Sequence, residues 1–174
     1  DVCSSDLAGT DAYNPYIRGL CPRGNSVATL IVASVTAASD PAVAAIINKA
    51  EAIWFAGGDQ SNYLNYWSGT GVQTAIRSRL AAGVPVGGTS AGLNILTQFI
   101  YSAQLSQGVT SSQALADPYT KYITLARDFV AVPALANVIG DPHFATRDRM
   151  GRDLAFLCRL QVGGWSSLPR AISV

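Results

Sequence analysis

Gly88-Thr89-Ser90-Ala91-Gly92 spells G-x-S-x-G, and its surroundings are those in which that pattern presents a nucleophile: Val84 to Gly87 reads as a short buried strand, and a helix follows. A sharp strand-to-helix bend lifts the serine hydroxyl above the sheet edge. The glycines on either side omit side chains that would collide there. The helix that begins beneath the serine offers N–H groups with no intrahelical acceptor, so the N–H of Ala91 can face a developing oxyanion. A serine at its ordinary pKa is a weak nucleophile and needs a base within hydrogen-bond reach. The chain holds one histidine, His143, just after a predicted strand at Val138 to Gly140 and on the carboxyl edge where open parallel sheets build their sites. Serine and imidazole together imply acyl transfer, with no metal or cofactor required.

Two further groups gather on the same edge. Gly57-Gly58-Asp59-Gln60 ends one predicted strand and opens a helix. Its glycines let backbone N–H groups approach a ligand, which makes Gly58 a candidate second oxyanion donor and Gln60 a candidate polar grip on substrate. Arg147, Arg149 and Arg152 follow the histidine, and planar guanidinium groups suit bidentate capture of carboxylates. Asp148 and Asp153 offset part of that charge, and a solvated helix face is the alternative reading of the same residues. A peptide rich in aspartyl or isoaspartyl carboxylates fits the cationic reading.

The elements that must position these groups alternate. Ser26 to Ser34 is β-branched and almost continuously apolar, as a strand buried on both faces would be. Ser39-Asp40-Pro41 then supplies an N-cap and an early proline for a helix to about Ala50. A strand at Ala52 to Ala56, helices at Ser61 to Trp67 and Val72 to Ala82 closed by Gly83, and the strand before Ser90 complete a β-α-β-α-β-α order. That order predicts a mostly parallel sheet with right-handed crossovers and helices on both faces. Beyond it, Phe99 to Ala103 and Lys121 to Phe129 read as strands around a polar excursion, Gln104 to Tyr119. A helix is expected from Thr146 to Leu160 with Met150, Leu154, Phe156, Leu157 and Leu160 mostly on one face, and a last strand begins at Ala171.

Taken together, G-G-D-Q at Gly57 to Gln60, G-T-S-A-G at Gly88 to Gly92 and D-x-H-F-x-x-R-x-R-x-x-R from Asp141 to Arg152 resemble the peptidase family S51, which contains cyanophycinase and aspartyl dipeptidase E. The resemblance runs over nearly the whole chain from Gly9 onward. It implies a flavodoxin-like, class I glutaminase-related doubly wound α/β fold in which serine attacks an amide at an aspartyl residue. For cyanophycinase the substrate is multi-L-arginyl-poly-L-aspartate, cut to β-Asp-Arg dipeptides. The resemblance implies Ser90 as nucleophile, His143 as base, and Gln60, Asp141, Arg147, Arg149 and Arg152 as the lining of a substrate pocket. Pro142 stands where cyanophycinase has glutamine. For the acid of a triad Asp117 is the candidate, with Gln113 as a neutral orienter, Asp128 inside a strand, and an acid beyond the chain's last residue as the alternatives.

The rest of the chain bounds the function by exclusion. A formal charge of +1 and 13% charged residues give no basic field for nucleic acid and no acidic tail for a basic partner. No apolar run is long enough to span a bilayer, so no membrane partner is expected. A homodimer is left open, as is the choice between cytoplasmic and secreted. Residues 1–7, Asp-Val-Cys-Ser-Ser-Asp-Leu, match the in-frame translation of a common short-read sequencing adapter and are read as non-native. Residues 8–174 are read as a single hydrolase domain incomplete at both ends, any signal peptide lying in the missing N-terminal part. Cys21 and Cys158 then remain, too few for a metal site or disulfide framework, and neither sits in a turn that would make it a nucleophile.

Overall fold

The computed structural model of the chain describes residues 2–4, 13–20, 24–105 and 108–174. In chain order the elements are β1 (Val2–Ser4), α1 (Asn14–Leu20), β2 (Ala28–Leu30), α2 (Val35–Ala38), α3 (Pro41–Ile47), β3 (Ile53–Phe55), α4 (Gln60–Trp67), α5 (Gly71–Ala81) and β4 (Val86–Gly88). They continue with α6 (Ala91–Asn94), β5 (Phe99–Tyr101), α7 (Ser111–Ala116), β6 (Leu125–Arg127), β7 (Val138–Asp141), α8 (Met150–Val162) and β8 (Arg170–Ser173).

The strands form a mixed α/β architecture of two four-stranded ladders, one ordered β2-β1-β3-β4 and the other β6-β5-β7-β8. Every pairing in the first is parallel, and in the second only β5 with β6 is antiparallel. β7 and β8 run in register from Val138 opposite Arg170 to Asp141 opposite Ser173. Residues 2–4, set aside above as foreign to the fold, fill the slot between β2 and β3. A parallel slot is closed by main-chain hydrogen bonds, which any β-competent tripeptide can make.

Local chemistry explains most boundaries. Asp40 caps α3 by accepting from the N–H of Ala42 at 2.8 Å, with Pro41 in the first turn. Gly83 ends α5 at φ +83°, in the left-handed region that glycine enters without penalty. The stretch expected to be one long strand from Ser26 is interrupted after Leu30, because Ser34 accepts from the N–H of Ala37 at 3.1 Å and starts α2. Thr110 and Gln113 form a capping box that turns part of the Gln104 to Tyr119 excursion into α7.

Helix α8 starts at Met150, four residues later than expected, because the chain from His143 to Arg149 first closes turns on itself, Arg147 N–H on the His143 carbonyl and Arg149 N–H on that of Phe144. Its inward face also differs from expectation. Phe156 and Leu160 are buried, but Met150 and Leu154 are exposed, and Arg152 and Asp153 occupy the buried positions instead.

Two apolar clusters support the ladders. The first holds Phe55, Tyr63 and Trp67, the last two edge to face at 4.7 Å. The second holds Phe99, Tyr101, Ile139 and Phe156, with Tyr101 stacked on Phe156 at 4.8 Å. Helix α6, which begins directly after Ser90, packs on β3, β4 and β7 and so bridges the ladders where the chemistry gathers.

Candidate active site

Ser90 lies at the junction of β4 and α6 with φ +54° and ψ −117°, a conformation costly for a residue with a Cβ. The flanking glycines are there for close approach. A Cβ on Gly88 would come within 2.5 Å of the Gly92 carbonyl group, and one on Gly92 would collide with the carbonyl oxygen of Phe55 in β3. Gly57 faces the serine directly, since a Cβ there would stand 3.1 Å from that of Ser90. Gly58 follows with φ +146°, in a region only glycine adopts readily. Ala91 is the first residue of α6, and its N–H has no intrahelical acceptor.

His143 is two residues past the end of β7 and holds φ +60°. Its Nε2 lies 2.9 Å from Ser90 Oγ. With Nδ1 protonated, the serine hydroxyl donates to Nε2, the direction needed for the imidazole to accept that proton. The two residues share the wall of an open cleft of about 360 Å³ whose lining includes Gly88, Thr89, Pro142, Phe144, Thr146 and Val174. Val174 reaches the cleft because its carbonyl accepts from the N–H of Phe144 at 2.9 Å. Burial lowers the pKa of His143 below the usual histidine value, the Arg147 and Arg149 charges push it further down, and Asp141 opposes them.

The other expected site residues separate. Asp141 and Arg152 do not line the cleft as substrate contacts, being only 1% and 3% exposed. Arg152 Nε donates to Asp141 Oδ2 at 2.6 Å, Nη2 donates to Oδ1, and the guanidinium lies over the Tyr101 and Phe156 rings at 5.2 and 5.7 Å. Arg149 donates to Asp141 Oδ1 at 3.0 Å and to the carbonyl of Pro142. Gln60 gives its side-chain N–H to the Tyr101 carbonyl at 2.9 Å, bracing α4 against β5. Of the three arginines Arg147 alone is exposed.

None of the carboxylates considered for a triad reaches His143. Asp117 is an exposed C-cap of α7 whose carboxylate accepts the N–H of Tyr119 at 2.9 Å, and Gln113 serves the capping box. Asp128 is exposed and accepts from Gln98 at 3.1 Å. A short-range hydrogen bond captures Asp117 and Gln113 locally, and Gln98 takes Asp128 from 30 residues away, neither of which residue type and chain position alone reveal.

Asp153, read from the sequence as a charge offsetting the arginines, is drawn inside. It is buried on α8, accepts from the Ser173 hydroxyl of β8, and its Oδ1 has no donor to meet it. Burial, then hydrogen bonding to the Asp141 carboxyl, raises its pKa from 3.8 to about 7. In that range the folded protein holds a proton that the unfolded chain has released, so stability falls as pH rises from about 4 to about 7 and levels off above. Asn in place of Asp153 mimics the protonated form. Asp153→Asn is expected to match the parent melting temperature at the acid end, exceed it at the alkaline end and remove the slope between, as melting temperatures across that window would register.

A mixed α/β protein with a serine hydroxyl held against an imidazole at the rim of a cleft is the class these features define. The chain belongs to peptidase family S51, whose family model matches residues 25–122. It is 33% identical over 112 residues to a cyanophycinase of Geminocystis herdmanii, an alignment that takes in 64% of this chain and 37% of that protein. The chain thus spans little more than a third of the length of that relative. Among solved structures it resembles a peptidase from an acI-B1 actinobacterium, with a TM-score of 0.62 and 17% identity over 90% of this chain and 61% of the other. It also resembles a putative peptidase E of Listeria monocytogenes, with a TM-score of 0.56 and 19% identity over 99% and 76%.

Proposed function

We propose that the chain carries the reacting pair of a serine-type peptidase: Ser90 attacks a peptide carbonyl, His143 takes its proton and returns it to the leaving amine, and water then releases the acyl group by the same route. The observation that carries this reading is the 2.9 Å approach of Ser90 Oγ to His143 Nε2 across a gap of 53 residues in sequence. The N–H of Ala91 and that of Gly58 are the proposed oxyanion donors, one at a helix N-terminus and one in a glycine turn behind the serine. The flavodoxin-like winding belongs to the same proposal, supported by α6 packing on β3 and β4 of one ladder and β7 of the other.

The proposed substrate is an aspartyl or β-aspartyl peptide of the cyanophycin type. Arg147, exposed and one residue past Thr146 of the cleft wall, is the one of the three arginines free to meet its carboxylate. A fluorophosphonate that labels the chain, mapped to Ser90 by peptide mass, tests the nucleophile. Turnover of β-aspartyl dipeptides set beside equilibrium binding of the same ligands tests the substrate, since binding without turnover or labelling would favour a module that only holds acidic peptides.

The lowered pKa of His143 also sets a pH profile. The imidazole accepts a proton only when neutral, so the labelling rate rises with pH through a midpoint below about 6.5, the ordinary histidine value. Arg147→Met removes a positive neighbour and is expected to move that midpoint upward. A midpoint that stays put in Arg147→Met would show that the charge does not act on His143.

A further inference from the structure

We propose that Asp141, Arg149 and Arg152 are positioning residues that hold the His143 imidazole against Ser90; the inference rests on the serine–histidine reading above. His143 sits at φ +60°, a backbone conformation a residue with a Cβ keeps only where its surroundings over-determine it. Arg149 takes hold of the chain on both sides of the histidine. Its side chain donates to the carbonyl of Pro142, just before His143, and its main-chain N–H donates to the carbonyl of Phe144, just after it, at 3.0 Å. The same guanidinium bonds Asp141 Oδ1 at 3.0 Å, which ties the loop back to the last residue of β7.

Arg152 fixes Asp141 in turn. Besides its two bonds to the carboxylate it donates from Nη1 to the Val109 carbonyl at 3.3 Å, and its face is covered by Tyr101 and Phe156. Every nitrogen of that guanidinium is engaged within the protein, and at 3% exposure none is offered to a ligand. Asp141 has both oxygens occupied as well. The cluster therefore acts on the reaction through the base it holds, and its loss lowers the rate of the chemical step at a pH where the imidazole is already neutral.

The test reacts the 174-residue chain with a fluorophosphonate at about pH 9, where His143 is neutral in every variant, and reads the labelling rate beside the thermal melt. Arg149→Met is expected to keep a cooperative melt and to label on the order of 10²-fold more slowly, the scale of a misplaced catalytic group. Arg127→Met, at the exposed end of β6, is expected to label as the parent does. A folded Arg149→Met chain that labels at the parent rate overturns the proposal. Should that variant not fold, Arg149→Gln, whose amide nitrogen stops two bonds short of the guanidinium Nη1 and so loses its hold on the Pro142 carbonyl, is judged by the same criterion.

A measurement on the unsubstituted chain decides independently. The Arg149 guanidinium held at two acceptors gives separate, slowly exchanging Nη proton resonances, whereas a single averaged signal overturns the proposal. Failure of the parent chain to label at Ser90 speaks instead against the peptidase reading, and the guanidinium resonances then report only whether Arg149 holds the loop that carries His143.

Discussion

Replacing Ser90 by alanine is expected to abolish fluorophosphonate labelling and to lower peptide turnover by on the order of 10⁴- to 10⁶-fold while leaving the melting temperature nearly unchanged. The hydroxyl oxygen is the only heavy atom removed. The Cβ that meets Gly57 stays, and the strained backbone at φ +54° is no worse for alanine than for serine. His143→Ala is expected to cost a similar factor, because a hydroxyl without its base is a poor nucleophile however well it is placed. The double variant should be no slower than the worse single one. Two groups that act as one proton-transfer unit do not lose their effects twice. Labelling that survives Ser90→Ala would sink the assignment, and single losses that multiply in the double variant would show that the groups act separately.

Much of this was legible because the chemistry announces itself in residue types that have few other reasons to occur together. G-x-S-x-G constrains main chain, since neither Gly88 nor Gly92 can carry a Cβ against its neighbour, and that constraint can be read without coordinates. A single histidine left His143 as the one imidazole to propose as a base. The Asp-Pro pair at 40 and 41 and Gly83 placed their helix ends through local chemistry that needs no tertiary context. The Thr110 to Gln113 capping box was equally readable and went unread, because its polar surroundings suggested a loop.

The arginines illustrate what a sequence withholds. Arg147, Arg149 and Arg152 are spaced alike for a ligand or for a carboxylate of the chain itself, and only the path of β7 shows that Asp141 arrives buried beneath two of them. The face of α8 failed for the same reason. Apolar periodicity assigns Met150 and Leu154 to the inside, but pairing with Asp141 and with Ser173 draws Arg152 and Asp153 there. A buried ion pair overrides hydrophobic patterning where its partners are already fixed, and the sequence does not say where they are.

Asp141→Ala is expected to destabilise the fold by about 3–5 kcal/mol, the cost of leaving a buried charge without its partner and a large share of the roughly 5–15 kcal/mol that holds most domains together. In a chain of this length that is a fall of about 6–20 °C in melting temperature. The loss comes from what remains. Arg152 would keep its place between Tyr101 and Phe156 with Nε and Nη2 facing an emptied site, and Arg149 would lose its tie to β7. Two comparisons separate this cause from lost packing. Asp141→Ala with Arg152→Met replaces the pair by apolar groups and should recover much of the stability, whereas a simple cavity would make the double variant worse.

The second comparison is pH. Removing Asp141 removes a neighbour that raises the pKa of Asp153, so Asp153 ionises more readily and offers Arg152 a replacement charge. The parent chain meanwhile loses stability as its own Asp153 ionises beside Asp141. The penalty of Asp141→Ala should therefore be smaller at about pH 8 than at about pH 5, measured as the difference in melting temperature from the parent at each. A penalty independent of pH would place Asp153 outside the cluster and leave its raised pKa to burial alone.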